Sequence, residues 1–292
     1  FMALGQLGLS YETNEEILFP IGTLYDPFVR RGLDAFMYSV YSGGRFIVVA
    51  TPSGITLGPE GGSHQSLMTP SIGLSLPNLS YYEPCFGQEL EWIILSALEK
   101  IKQREESTYL RLTTKPVDQT LFEIPEDPNL VDQLRQQVLQ GGYRLIDRTL
   151  EYGYSPGINV VNIVATGSLI PEAIVASKKL LEEEIMANVI NVTGPGPLYR
   201  KFQQSIHSQI QGEFPTPVLT DIFPLEERTA PLVTVIDGHP HTLAWLGGAL
   251  GTTTHPLGIT QYGQSGTPEE LYKEYLVDSD SIIAASFSAL GY

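Results

Sequence analysis

Glu60 and His64 stand four positions apart in the run Thr51-Pro-Ser-Gly-Ile-Thr-Leu-Gly-Pro-Glu60-Gly-Gly-Ser-His64-Gln-Ser66. An imidazole changes charge near neutral pH, so it can take or give a substrate proton, and a nearby carboxylate can orient it. The two glycines between them let backbone approach a ligand closely. A solvated surface loop is the plainer alternative for the same residues. Tyr25 and Phe28, three apart in Gly22-Thr-Leu-Tyr-Asp-Pro-Phe28, form a second candidate. Two aromatics where a strand gives way to a helix could sandwich a flat heterocycle, or they could simply be core. Asp237-Gly-His239-Pro-His241 is the rival site. Its H-x-H would place two imidazoles on one side of the chain, as a metallohydrolase needs, with His255 and Asp221 available to complete the shell. A helix opening without metal is the plainer reading of that run. There is no dinucleotide or P-loop glycine pattern and no G-x-S-x-G nucleophile elbow.

These residues need a scaffold, and the hydrophobic periodicity predicts one. The apolar run Arg45 to Ala50 reads as a buried strand leading into the Glu60–His64 loop, the end of a strand where open α/β sheets place chemistry. Residues 1–112 read as a helix end at Phe1–Leu9, a strand at Ile17–Ile21, a helix from Pro27 to Tyr41, the Arg45–Ala50 strand, a helix over Gly87–Gln103 and a strand over Thr108–Thr113. That alternation predicts α/β architecture with a mainly parallel sheet. Residues 113–156, punctuated by Pro116, Pro125 and Pro128, read as a linker with some structure of its own. Residues 157–292 return to α/β, with strands at Asn159–Thr166, Ala187–Val192 and Leu232–Asp237. Helices are expected over Pro171–Glu184, Leu198–Ile210 and His241–Leu250. A capping box at Thr267–Glu270 starts another, and Asp278 caps the last.

The 292 residues carry a net charge of -16 and one cysteine. So acidic a chain lacks the electrostatic footprint for nucleic acid. Cys85 cannot form an intramolecular disulfide and fits a reducing, cytoplasmic setting. No apolar run is long enough to span a bilayer, so no membrane partner is expected. The N-terminus is apolar from Phe1 onward and reads as the middle of a buried helix, which makes the chain look like a fragment.

Beyond spacing, Pro59-Glu-Gly-Gly-Ser-His-Gln-Ser66 resembles a region of the homodimeric-type pyruvate dehydrogenase first component, the decarboxylating, thiamine diphosphate-dependent member of 2-oxo acid dehydrogenase complexes and a transketolase relative. The resemblance continues through Leu79-Ser-Tyr-Tyr-Glu-Pro-Cys-Phe86, Leu257-Gly-Ile-Thr-Gln-Tyr-Gly-Gln-Ser-Gly266 and Glu274-Tyr-Leu-Val-Asp-Ser-Asp-Ser281. It therefore covers nearly the whole chain in order. The segment Leu24-Tyr-Asp-Pro-Phe-Val-Arg-Arg-Gly-Leu-Asp34 looks closest to a branch associated with other short 2-oxo acids, such as 2-oxobutyrate.

The resemblance implies a partial pyrimidine-binding transketolase-like domain over residues 1–112, followed by a transketolase C-terminal domain over 157–292. By the same similarity Tyr25 and Phe28 would flank the aminopyrimidine of thiamine diphosphate, while Glu60 and His64 would face a small 2-oxo acid and assist acyl transfer to a lipoyl acyltransferase component. The family's activating glutamate and its Mg²⁺-diphosphate domain are expected to precede Phe1. The chain alone is then expected to be inactive, working as a homodimer or with the missing N-terminal half, in a cytoplasmic role next to glycolysis. A non-catalytic, transketolase-like interaction subunit is the alternative, beside the metallohydrolase built on His239 and His241.

Overall fold

The computed structural model describes residues 1–213 and 219–292. Two short helices, α1 (Met2–Gly8) and α2 (Ser10–Asn14), precede strand β1 (Ile21–Leu24). Then follow α3 (Phe28–Arg31), α4 (Leu33–Tyr41), β2 (Ile47–Ala50), α5 (Thr69–Ser75), β3 (Leu79–Tyr82), α6 (Gly87–Lys102) and β4 (Ser107–Arg111). The four strands pair in the order β1-β2-β4-β3, all parallel. β2, β3 and β4 carry almost continuous burial, as strands covered on both faces do. One face holds Val29, Phe36, Phe46 and Tyr109; the other takes the α6 stripe Trp92, Ile93, Ala97 and Ile101. That stripe repeats at helical spacing, so α6 forms because it buries one side.

A second sheet contains β5 (Tyr143–Ile146), β6 (Val160–Ala165), β7 (Met186–Asn191), β8 (Leu232–Val235) and β9 (Thr254–Leu257). Its order is β5-β7-β6-β8-β9, parallel except for β5, which runs antiparallel to β7 with a register shift between Arg144 and Ile146. Around it lie α7 (Pro128–Gln140), α8 (Ile170–Glu182), α9 (Pro195–Ile210), α10 (His241–Leu250), α11 (Pro268–Glu274) and α12 (Ser279–Leu290). β6 and β7 are buried at all six positions and form the centre. Thr267 and Glu270 make the reciprocal capping box at α11, and the Asp278 carboxylate accepts from the Ser281 N–H at α12.

The expected α/β class with mainly parallel sheets is what the chain adopts. Two local expectations shift. Strand β1 starts at Ile21, because pairing begins where Ile47 N–H reaches the Pro20 carbonyl, and Pro20 has no N–H of its own to extend it backward. The helix expected over Pro27–Tyr41 is interrupted at Gly32, where the Phe1 ring lies 2.5 Å from the place a β-carbon would occupy. Within the segment read as a linker, α7 packs beside α6 through Val138, and β5 supplies the edge of the second sheet.

Candidate active site

The Glu60–His64 loop leaves β2 through Gly54–Glu60 and Gly62–His64, each wound as a tight 3₁₀ turn. The second domain clamps it. Both Asp237 carboxylate oxygens accept from the Ile55 N–H, at 2.9 and 3.1 Å, and Gln65 Nε2 donates to the Gln264 carbonyl at 2.6 Å. Gly54 has φ +67°, and a β-carbon there would meet the Asp237 carboxylate at 2.0 Å; one on Gly62 would meet the Gly263 carbonyl at 1.9 Å. Glycine is required at both positions by close approach, and at Gly54 also by the left-handed backbone.

His64 is half-buried and Glu60 exposed. Among the described residues no hydrogen bond joins them; the neighbour of His64 Nδ1 is Ser63 Oγ, at 3.3 Å. The structure instead brings His64 to the aromatic pair. Its ring stands edge-on to Tyr25 and Phe28, with centroids 6.4 and 6.5 Å away. Tyr25 and Phe28 stack on each other at 5.9 Å and 15°. At that spacing they touch, so a flat ring would lie on the pair rather than between its members. Tyr25 is 38% exposed, Phe28 is half-buried, and the Arg31 guanidinium sits 4.6 Å over the Phe28 ring.

What joins the aromatics to the loop is Asp26, a residue that motif spacing did not single out. It is fully buried and accepts from Tyr109 OH at 2.5 Å, Arg111 Nε at 2.9 Å and Thr69 Oγ1 at 2.6 Å, with a further short bond from Ser66 Oγ. Arg111 continues to Glu83 Oε1 at 2.7 Å, and Tyr81 OH donates to the other Glu83 oxygen. Burial pushes the Glu83 carboxyl up to about 7 against the pull of Arg111, and burial raises Asp237 as well. Three carboxylates thus surround one guanidinium in a dry site. Glu83 also ties the sheets together: its N–H donates to the Thr193 carbonyl at 2.8 Å, and its own carbonyl accepts from Thr166 Oγ1. An arginine at the end of a strand buried at every position, and a carboxylate between two aromatics, are the signals that mark this network.

A second buried carboxylate, Glu89, caps the start of α6. Its Oε2 accepts from the Cys85 and Phe86 N–H groups, and its Oε1 from Tyr143 OH and Asn191 Nδ2, each at 2.7 Å. Burial lifts its carboxyl to about 7.

His239 and His241 face each other, Nδ1 to Nδ1 at 2.5 Å, and His241 Nε2 reaches Ser71 Oγ at 2.7 Å. Burial, then the neighbouring His239, holds His241 below the usual imidazole range. The imagined shell does not assemble. Asp237 is taken by Ile55, His255 Nε2 faces Ser288 Oγ, and among the described residues no group of three His, Cys, Asp or Glu could hold a metal ion.

Comparison with known proteins matches residues 141–278 to the family described as "Transketolase-like TK C-terminal domain". Most of the second domain thus resembles a transketolase-like C-terminal domain. The whole chain is 26% identical over 266 residues to Transketolase 1 of Candida albicans, covering 91% of this chain and 33% of that protein. It is 27% identical over 292 residues to the pyruvate dehydrogenase E1 component of Mycobacterium tuberculosis, covering 97% and 30%. The chain therefore spans about a third of the length of these relatives. Among solved structures, one described as a split gene transketolase, inactive beta4 tetramer, superposes with a TM-score of 0.70 at 20% identity, over 99% of this chain and 81% of that one. The resemblance to the C-terminal portion of transketolase-like, thiamine diphosphate-dependent enzymes holds, and transketolases stand as near as pyruvate dehydrogenases. Among the described residues no helix is long and apolar enough to cross a membrane.

Proposed function

We propose that this chain forms the pyrimidine-side wall and the C-terminal domain of a thiamine diphosphate-dependent 2-oxo acid dehydrogenase. The observation that carries the reading is the exposed Tyr25–Phe28 stack with His64 at its edge, at the C-terminal end of a parallel sheet. Such a stack fits one flat heterocycle, which is the aminopyrimidine of the cofactor. Mg²⁺ and the diphosphate are assigned to another polypeptide segment in this proposal; among the described residues no group of three His, Cys, Asp or Glu could hold a metal ion. The cofactor, when bound, supplies the electron sink for breaking the bond next to the carbonyl. The chain's own residues do the rest. Tyr25 and Phe28 orient the ring, His64 holds or moves a proton at a substrate oxygen, and Glu60 lies on the same loop facing the substrate side. In the overall reaction the C1–C2 bond of pyruvate or 2-oxobutyrate breaks and CO₂ leaves. The disulfide of a lipoyl arm takes the two electrons, one sulfur gaining the acyl group and the other a proton.

The active form is a homodimer or a complex with the remaining part of the enzyme. Ile17, Leu18, Phe19 and Ile21 are exposed along and before β1, which is an edge strand, and Met37, Tyr38 and Tyr41 are exposed on α4. A contiguous apolar edge of this kind marks a protein interface. A cytoplasmic place beside glycolysis is part of the same proposal. One observation favours a second reading, a non-catalytic transketolase-like subunit: the superposed split-gene protein is an inactive tetramer. The test is the complete enzyme containing this chain, given thiamine diphosphate, Mg²⁺ and lipoamide. Release of CO₂ from pyruvate or 2-oxobutyrate with lipoamide reduction is expected. Ketol transfer from a ketose phosphate without decarboxylation, or no turnover at all, would overturn the dehydrogenase reading.

A further inference from the structure

The loop that carries Glu60 and His64 is tied at both ends to one buried cluster. At its start the Ile55 N–H donates to the Asp237 carboxylate. At its end Ser66 Oγ donates to Asp26, and the Ser66 carbonyl accepts from Arg111 Nη2 at 3.4 Å. Asp26 also follows Tyr25 directly, and its own N–H donates to the Pro52 carbonyl at 3.2 Å. One set of side chains therefore fixes the aromatic stack and both anchors of the imidazole.

The charges in that set do not balance. Asp26, Glu83 and Asp237 bring three carboxylates to the single guanidinium of Arg111, and all four residues are buried. Tyr81 and Tyr109 face them as hydroxyl donors. The next cation, Lys115, lies over the Tyr272 ring and 3.7 Å from Glu172, so it is engaged outside the cluster. Carboxylates crowded in a dry site do not all ionise together, so the cluster retains a proton. Glu83 is the member suited to take it. Asp26 accepts from four side chains, and Asp237 accepts from a backbone N–H, a donor that cannot reverse. Glu83 has two side-chain partners among the described residues, Arg111 and the Tyr81 hydroxyl, and a hydroxyl can turn to accept. Burial pushes the Glu83 carboxyl up to about 7; Arg111 and the Tyr81 hydroxyl pull it down, and Asp237 and Asp26 push it up.

We propose that Glu83 is a positioning residue for His64: whether it carries a proton sets how firmly Asp237 and Asp26 hold the two ends of the loop, and so how the imidazole meets the Tyr25–Phe28 stack. With Glu83 neutral, Arg111 balances Asp26, and Asp237 is left as the remaining anion, held by Ile55. With Glu83 ionised, repulsion at low dielectric falls on both loop anchors. Asp237 gives first, because the Ile55 N–H is its one hydrogen-bond donor among the described residues. The Ile55 end of the loop therefore loosens as pH rises through about 7. This inference rests on the cofactor-site reading only for the task of His64, and it is tested on the chain without substrate, so the two stand or fall separately.

The test is amide NMR of the isoleucine-labelled full chain from about pH 5 to 9. The Ile55 N–H signal is expected to shift with a midpoint near 7, and nuclear Overhauser contacts from the His64 ring to Tyr25 and Phe28 should weaken across the same midpoint. Glu83→Gln should remove both changes. Glu89→Gln, which alters the other raised carboxyl at the start of α6, should leave both in place, and His64→Gln should leave the Ile55 midpoint in place. Infrared spectra of Glu89→Gln decide the matter should Glu83→Gln fail to fold: a protonated-carboxyl band that disappears with the Ile55 midpoint is expected. A flat Ile55 signal, a midpoint unchanged by Glu83→Gln or lost in His64→Gln, or no such infrared band would overturn the proposal.

Discussion

His64 and Arg111 carry opposite kinds of importance at the scale of single residues. His64 is half-buried, packs edge-on to two rings and donates nothing to the core. Replacing it with alanine should leave the unfolding midpoint within about 0.5 kcal/mol of the parent. In the dehydrogenase proposed above, lipoyl acylation should fall about 10²- to 10⁴-fold, the range for a lost proton-transfer group. Turnover measured beside cofactor affinity checks this, and unchanged turnover would remove His64 from the mechanism. Arg111 is the reverse case. It is the guanidinium between Asp26 and Glu83, buried with both. Arg111→Met strands carboxylates in a dry site and should cost about 3–5 kcal/mol in urea unfolding. The triple change Asp26→Asn, Glu83→Gln, Arg111→Met should recover part of that loss. The sequence made the loop and the aromatic pair legible because glycines, an imidazole and paired rings are unusual at fixed spacing. Asp26 escaped because its role is set by Ser66, Thr69, Tyr109 and Arg111, partners 40 to 85 positions away. Long-range pairing of that sort leaves no local pattern.

At the scale of elements, Glu89 gives the start of α6 a pH signature. Its carboxyl sits at about 7 in the fold, against an ordinary 4.5. Between those values the folded chain binds the proton that the unfolded chain has released. The stabilisation is therefore full below about pH 4.5 and is lost as pH rises through about 7. Glu83 has the same sign and the same window. Unfolding free energy should decline from pH 5 to pH 7.5, and Glu89→Gln should flatten part of that decline in denaturant titrations across the range. A parent whose stability rises over the interval would contradict the assignment. Gly54 offers a second element-scale test. Its left-handed backbone and the Asp237 carboxylate leave no room for a β-carbon. Gly54→Ala should cost about 2–4 kcal/mol through strain and a lost buried contact, whereas Gly43→Ala, also at positive φ but with open space, should cost near 1 kcal/mol. Helices were read well from sequence where a stripe or a cap marked them, as in α6, α10 and α11. Among the short strands, β2 and β8 were legible as apolar runs, but β3 and β9 were not. β3 and β9 have four residues each and no alternation, and their pairing rests on β4 and β8 rather than on any pattern of their own.

For the whole molecule, the unpaired side of β1 is the controlling feature. Ile21 is 55% exposed on an edge strand, and Tyr41 on α4 is 85% exposed. The purified chain should self-associate in sedimentation at micromolar concentration, and Ile21→Lys should shift it to a smaller species by charging the edge. A parent that stays monomeric, or a variant that leaves the distribution unchanged, would show that this edge is not the interface. The clamp on the loop reaches further. Gly54, Gln65 and Gly62 are held by Asp237, Gln264 and Gly263, residues of the second domain. The imidazole is aimed from across the domain boundary. Severing the chain near residue 141 would therefore yield two pieces that each keep most of their core and yet share no working site. Errors in the 257–266 turn would look, in any assay, like faults of chemistry rather than of folding.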